Sequence, residues 1–86
     1  MSIDDLMLKL VGTHVKWEKV KGKENPSMQE TVGFGVLLKF SLGKSLRIYG
    51  DGGIITSLVK IVCVDDQDRL RVVTNNSTYL ITSLLE

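Results

Sequence analysis

The spacing of apolar residues changes from helical to strand-like at Gly12. Ile3, Leu6, Met7, Leu10 and Val11 recur at i, i+3, i+4, i+7 and i+8, which places them on one face of a helix. Ser2 is positioned to cap that helix, and Asp5 three residues later completes a capping-box pattern. Asp4 and Asp5 sit at the positive end of the helix dipole, Lys9 lies in the last turn, and Gly12 fits the position just past the end. These signals predict a helix over 3–11. A helix this short is not stable alone in water, so its apolar face must pack on the rest of the domain or on a partner.

From Thr13 the period is two. Val15 and Trp17 alternate with His14, Lys16 and Glu18, which predicts a first strand. Residues 21–30 hold the only Pro and no sustained period, so they read as a surface loop. Val32, Phe34, Val36, Leu38 and Phe40 then alternate with Thr31, Gly33, Gly35, Leu37 and Lys39. The first set is expected to face inward. Two glycines on the opposite face point to a bulge or a sharp bend, as where a small sheet curls into a barrel.

Leu42-Gly43-Lys44 and Gly50-Asp51-Gly52-Gly53 read as turns on either side of a strand with Leu46 and Ile48 inward and Arg47 and Tyr49 outward. The next strand is expected to set Val59, Ile61 and Cys63 on one face and Lys60 on the other. Asp65 to Asp68 is a polar hairpin loop, after which Leu70, Val72 and Thr74 alternate with Arg69 and Arg71. Asn75-Asn76-Ser77 has turn chemistry, and Tyr79 to Ile81 form a last short strand. Strands are thus predicted at about 13–20, 31–40, 45–49, 57–64, 69–74 and 78–82 of a single domain. The fold class is mainly β: a short N-terminal helix, then five or six antiparallel strands in one curled sheet, with an SH3-like small barrel as the expected architecture.

At 86 residues the chain has room for one core. With 43% hydrophobic and 24% charged residues, it is too apolar for a disordered chain. A net charge of +1 gives no strong overall pull towards nucleic acid or an anionic membrane. One Cys cannot form an intramolecular disulfide, which points to the cytoplasm. Asp4, Asp5 and Lys9 interrupt the apolar start, which departs from a secretory signal. No run reaches the roughly 18 apolar residues of a membrane helix.

Candidate chemistry is sparse. His14 is the only histidine, and nothing pairs it with Cys63 as a base would need to be paired with a nucleophile. A zinc site wants three or four ligands at recognisable spacing, so a solvated His beside Lys16 is the simpler reading. Cys63 between Val62 and Val64 reads as a small core hydrophobe. Gly50 to Gly53 could present N–H groups to an anion, but it lacks the helix and the Lys of a phosphate-binding loop. Counting from Asp66, the calcium-loop positions that demand Gly and Glu hold Arg71 and Ser77. Two glycosylation triplets begin at Asn75 and Asn76; an intracellular chain never meets that machinery. No enzyme, no cofactor and no metal are expected.

The outward strand positions carry more information. Lys16, Lys39, Arg47, Lys60, Arg69 and Arg71, with the aromatic Tyr49, form a basic set, while acids collect in the helix and loops. Single-strand nucleic-acid binders use such faces. The same charges also keep sheet edges from pairing and serve solubility. Thr56-Ser57-Leu58-Val59 and Val73-Thr74-Asn75-Asn76-Ser77-Thr78-Tyr79 resemble the endings of small uncharacterised proteins of phages and bacterial mobile elements. That resemblance implies no activity and no site residue; it implies an origin in which small compact proteins bind and block host proteins. The expected function is a non-enzymatic protein-binding module, with inhibition of a host or defence protein as its extension. The alternative is a nucleic-acid-binding barrel that uses the basic strand face.

Overall fold

Alternation along the chain resolves into six strands, β1 (His14–Gly22), β2 (Val32–Leu37), β3 (Ser45–Tyr49), β4 (Ile54–Val64), β5 (Leu70–Thr74) and β6 (Ser77–Ser83), behind one helix, α1 (Ile3–Leu10). The structure, a computed structural model, describes residues 2–22 and 32–84. Each strand pairs antiparallel with its sequence neighbour, and β1 also pairs with β6, so the sheet closes into a barrel. Most of the loop expected over 21–30, and Thr31 at the expected start of the second strand, lie outside the described residues. Lys21 and Gly22 belong to β1, where they pair with Thr78 and Ser77.

Closing so few strands requires strong local coiling, and register shifts supply it. They fall between Lys19 and Lys21, between Ser45 and Arg47, and between Val59 and Ile61. At the second shift the Leu46 N–H donates to Thr56 Oγ1 at 3.1 Å, a side chain standing in for a ladder carbonyl. The core is filled by Val15, Trp17, Leu37, Leu46, Ile48, Val59, Leu70, Val72 and Ile81 from the strands, with Phe40. Leu6 and Leu10 of α1 join it, and the helix lies against β4 and β5. Ser2 Oγ accepts the Asp5 N–H at 3.1 Å. Val11 is the C-cap rather than a last helical residue, because Gly12 at φ +87° turns the chain out of the helix.

Four expectations about β2 and β4 are corrected. The inward face of β2 is Gly33, Gly35 and Leu37, not Val32, Phe34, Val36 and Leu38: Leu37 is fully buried, while Phe34 is 50% exposed. The cause is crowding from the strands on either side, β1 and β3, and from the turn after β3. Trp17 and Val15 are the Cα partners of Gly33 and Gly35 and point inward with them. A Cβ at Gly33 would run into the Gly52 carbonyl and lie 2.5 Å from Trp17 Nε1; one at Gly35 would lie 2.6 Å from the Tyr49 carbonyl. Only glycine permits this approach. The strand also ends at Leu37 instead of 40, and Phe40 returns to the core from the loop beyond it.

On β4 the shift after Val59 adds a residue, so Lys60 and Ile61 are both exposed. The inward set passes from Val59 to Val62 and Val64, which pack on the core, instead of to Ile61 and Cys63. β4 also begins at Ile54 rather than 57, because Ile54 and Ile55 pair with Ile48 and Arg47.

Candidate protein-docking face

Reversing β2 turns its apolar residues outward, and the neighbouring strands extend the surface they make. Directly paired residues in antiparallel strands point to the same side. His14, Val36 and Tyr49 therefore form one outward row across β1, β2 and β3, through the pairs His14–Val36 and Val36–Tyr49. Lys16 and Phe34 form the row on one side. On the other side the Leu38 N–H donates to the Arg47 carbonyl at 3.1 Å, and Arg47 is the Cα partner of Ile55. Tyr49 is 73% exposed and Ile55 76% exposed. Phe34, Val36, Leu38, Tyr49 and Ile55 thus build an aromatic and aliphatic surface over three adjacent strands.

Of the clefts that indent this surface, two adjoin each other. One, of about 740 Å³, runs along β3 between Leu38, Tyr49, Ile54 and Ile55, with Asp51 towards the β3–β4 turn. The other, of about 550 Å³, is lined by Lys39, Phe40, Ser41, Lys44, Ser45, Arg47 and Ile55. Arg47 and Ile55 wall both clefts. The turn that bounds the first cleft is tied down: Trp17 Nε1 donates to the Gly52 carbonyl at 2.6 Å, and the Gly53 N–H donates to the Gly50 carbonyl at 3.0 Å.

The seven basic and aromatic residues singled out by sequence do not share one surface. Lys39, Arg47 and Tyr49 belong to the face just described, and Lys16 borders it through Phe34. Arg71 lies on β5, two strands from β3, between Cys63 and Leu80; Lys60 sits at the β4 register shift. Arg69 is held by Asp65, its Nε 2.8 Å from Oδ2, while Oδ1 accepts the N–H groups of Arg69 and Gln67. Burial pushes the Asp65 carboxyl up, but those N–H donors and the guanidinium outweigh it and hold the group below the usual carboxylate range. Arg69 therefore closes a hairpin.

Sequence reasoning missed Phe34, Val36, Leu38, Ile55 and Lys44. For β2 the available signal was its paired glycines: a long strand with glycine on one face either bends or admits a large neighbour, and Trp17 was in the sequence to be that neighbour. Cys63 is a free, half-buried thiol. Among the described residues no group of His, Cys, Asp or Glu side chains comes together as a metal-binding set. Nor is any described helix long and apolar enough to cross a membrane. Comparisons with protein families, curated proteins and solved structures found no match to this chain.

Proposed function

We propose that this chain is a non-enzymatic protein-binding module, a small barrel of the SH3-like kind acting inside the cell, and that it docks its partner on the outer face of β2, β3 and β4. One observation carries the reading. The outward apolar side chains of β2, exposed Phe34 and half-buried Val36, stay out of the core although a one-residue change of register would bury them, and exposed Tyr49 and Ile55 enlarge the patch they make. Contiguous exposed apolar surface rimmed by polar residues marks interaction sites, and a central aromatic is the usual anchor of such an interface. The resemblance to phage and mobile-element endings extends the proposal to a host or defence protein as the partner, blocked by occupancy.

Nucleic acid is the weaker reading. Lys39 and Arg47 share this face with Tyr49, but Asp51 stands at the far end of the cleft that Tyr49 lines, and Lys60, Arg69 and Arg71 lie elsewhere. Affinity capture from the native host, with and without nuclease, tests the choice. The expected result is a nuclease-resistant protein retained by the native chain and lost by Tyr49→Asp. Capture that is indifferent to Tyr49→Asp, or wholly nuclease-sensitive, overturns the proposal.

A further inference from the structure

We infer that the segment recognised on this face is an acidic, extended peptide that sets an apolar side chain in the cleft beside Tyr49 and a carboxylate in the neighbouring cleft beside Arg47. The inference rests on the docking face proposed above and names the chemistry of its occupant.

The second cleft is cationic. Lys39, Lys44 and Arg47 all open on it, its other polar walls are Ser41 and Ser45, and no acid among the described residues lines it. None of the three cations takes part in an ion pair among the described residues, whereas Arg69 on the far side of the barrel is paired. Three like charges around one concavity repel each other and raise the local concentration of anions. The hydroxyls of Ser41 and Ser45 add donors suited to a carboxylate oxygen.

The adjoining cleft is different. Its walls include Leu38, Tyr49, Ile54 and Ile55, and the one acid among the described residues that line it, Asp51, lies at the β3–β4 turn, away from Lys39 and Lys44 in the second cleft. A nucleic-acid strand would carry phosphates along the whole length and bring one against Asp51. A peptide can place its negative charge at one end only.

Geometry fixes the spacing. Tyr49, Arg47 and Ser45 alternate along β3, so successive outward positions are separated by roughly 7 Å, two strand residues. An extended peptide repeats the same distance. An apolar residue and an Asp or Glu two to four positions apart therefore face the barrel together, with Arg47 and Ile55 forming the divide between their clefts.

The test is selection of a random displayed-peptide library on the full chain, followed by affinities of the selected peptides at low and high salt. The expected peptides pair an apolar or aromatic residue with Asp or Glu at that spacing. Replacing the acid by its amide, or Arg47→Glu in the protein, should weaken binding by about tenfold, and added salt should weaken it further. Arg47 is exposed, and an unchanged melting temperature shows that the variant is folded. Peptides that need Tyr49 and Ile55 but carry no acid, or that ignore Arg47→Glu, overturn the inference and leave the docking face standing. A library that yields no binder, or binders indifferent to Tyr49→Ala and Ile55→Ala, overturns both. A labelled single-strand oligonucleotide that competes for the face and binds more tightly than any selected peptide replaces the peptide with nucleic acid.

Discussion

β2 and β5 are short strands of the same sheet with equally regular alternation, and they use it in opposite ways. On β5 the apolar residues Leu70 and Val72 are fully buried and Arg71 faces out. On β2 the apolar Phe34 and Val36 face out, and the buried positions are Gly33, Gly35 and Leu37. The difference lies in what the neighbours bring. β5 sits between β4 and β6, where Val72 pairs with Val62 and Tyr79 and its side chain fills the interior. β2 sits between Trp17, whose indole takes the volume a side chain at Gly33 would occupy, and β3, whose Tyr49 carbonyl and Ile48 side chain leave no room for one at Gly35. Alternation thus identifies a strand, and the partner's bulk decides which parity goes inside.

The comparison can be broken most severely on the β5 side. Leu70→Ala removes a fully buried side chain and should cost about 2–5 kcal/mol, read from urea unfolding at constant m-value. Next comes the glycine face of β2. Gly33→Ala puts a methyl group against the Gly52 carbonyl and the Trp17 ring and should cost about 1–3 kcal/mol, although alanine normally suits a strand no worse than glycine. A variant as stable as the native chain would show that the turn and the indole yield at no cost.

A smaller effect separates the cations of the two regions. Asp65 holds Arg69, and its carboxyl is lowered in the folded chain, so the stabilisation is complete above the ordinary carboxylate pKa of about 3.9 and is lost as pH falls from there through the lower pKa of the folded chain. Thermal melts of native and Asp65→Asn protein should differ at neutral pH, begin to approach each other near the ordinary carboxylate pKa, and converge only in stronger acid, below the lowered pKa of the folded carboxyl. A difference that persists into acid would show that the ionised carboxylate is not what stabilises the loop. The smallest expected change in stability is that of Phe34→Ala, within about 0.5 kcal/mol, where a core Phe would cost about 3–5. The same substitution should weaken partner capture, and a large loss of stability instead would mean that Phe34 packs inside.

Much of this was legible in the chain. Ser2, the stripe from Ile3 to Val11 and Gly12 specify the helix locally, and Leu46, Ile48, Leu70 and Val72 point inward in the register their hydrophobicity demands. β2 and β4 were not legible in the same way. The parity of β2 depends on Trp17, which lies across the sheet, and the face of β4 depends on a register shift after Val59 that leaves no mark in the local pattern. The docking face inherits both difficulties. Tyr49, Lys39 and Arg47 could be found as outward residues, but the apolar surface around them looks in the sequence like core.

The bond from Trp17 to the Gly52 carbonyl has an optical consequence. Trp17 is the chain's one tryptophan, its ring is buried 6.2 Å from that of Tyr79, and its polar atom is fastened to the turn that ends beside Asp51 and the first cleft. Indole emission responds to the hydrogen bond at Nε1. An occupant that presses on the β3–β4 turn alters that bond from outside the barrel, so the protein carries its own unlabelled fluorescent gauge of what sits on its surface.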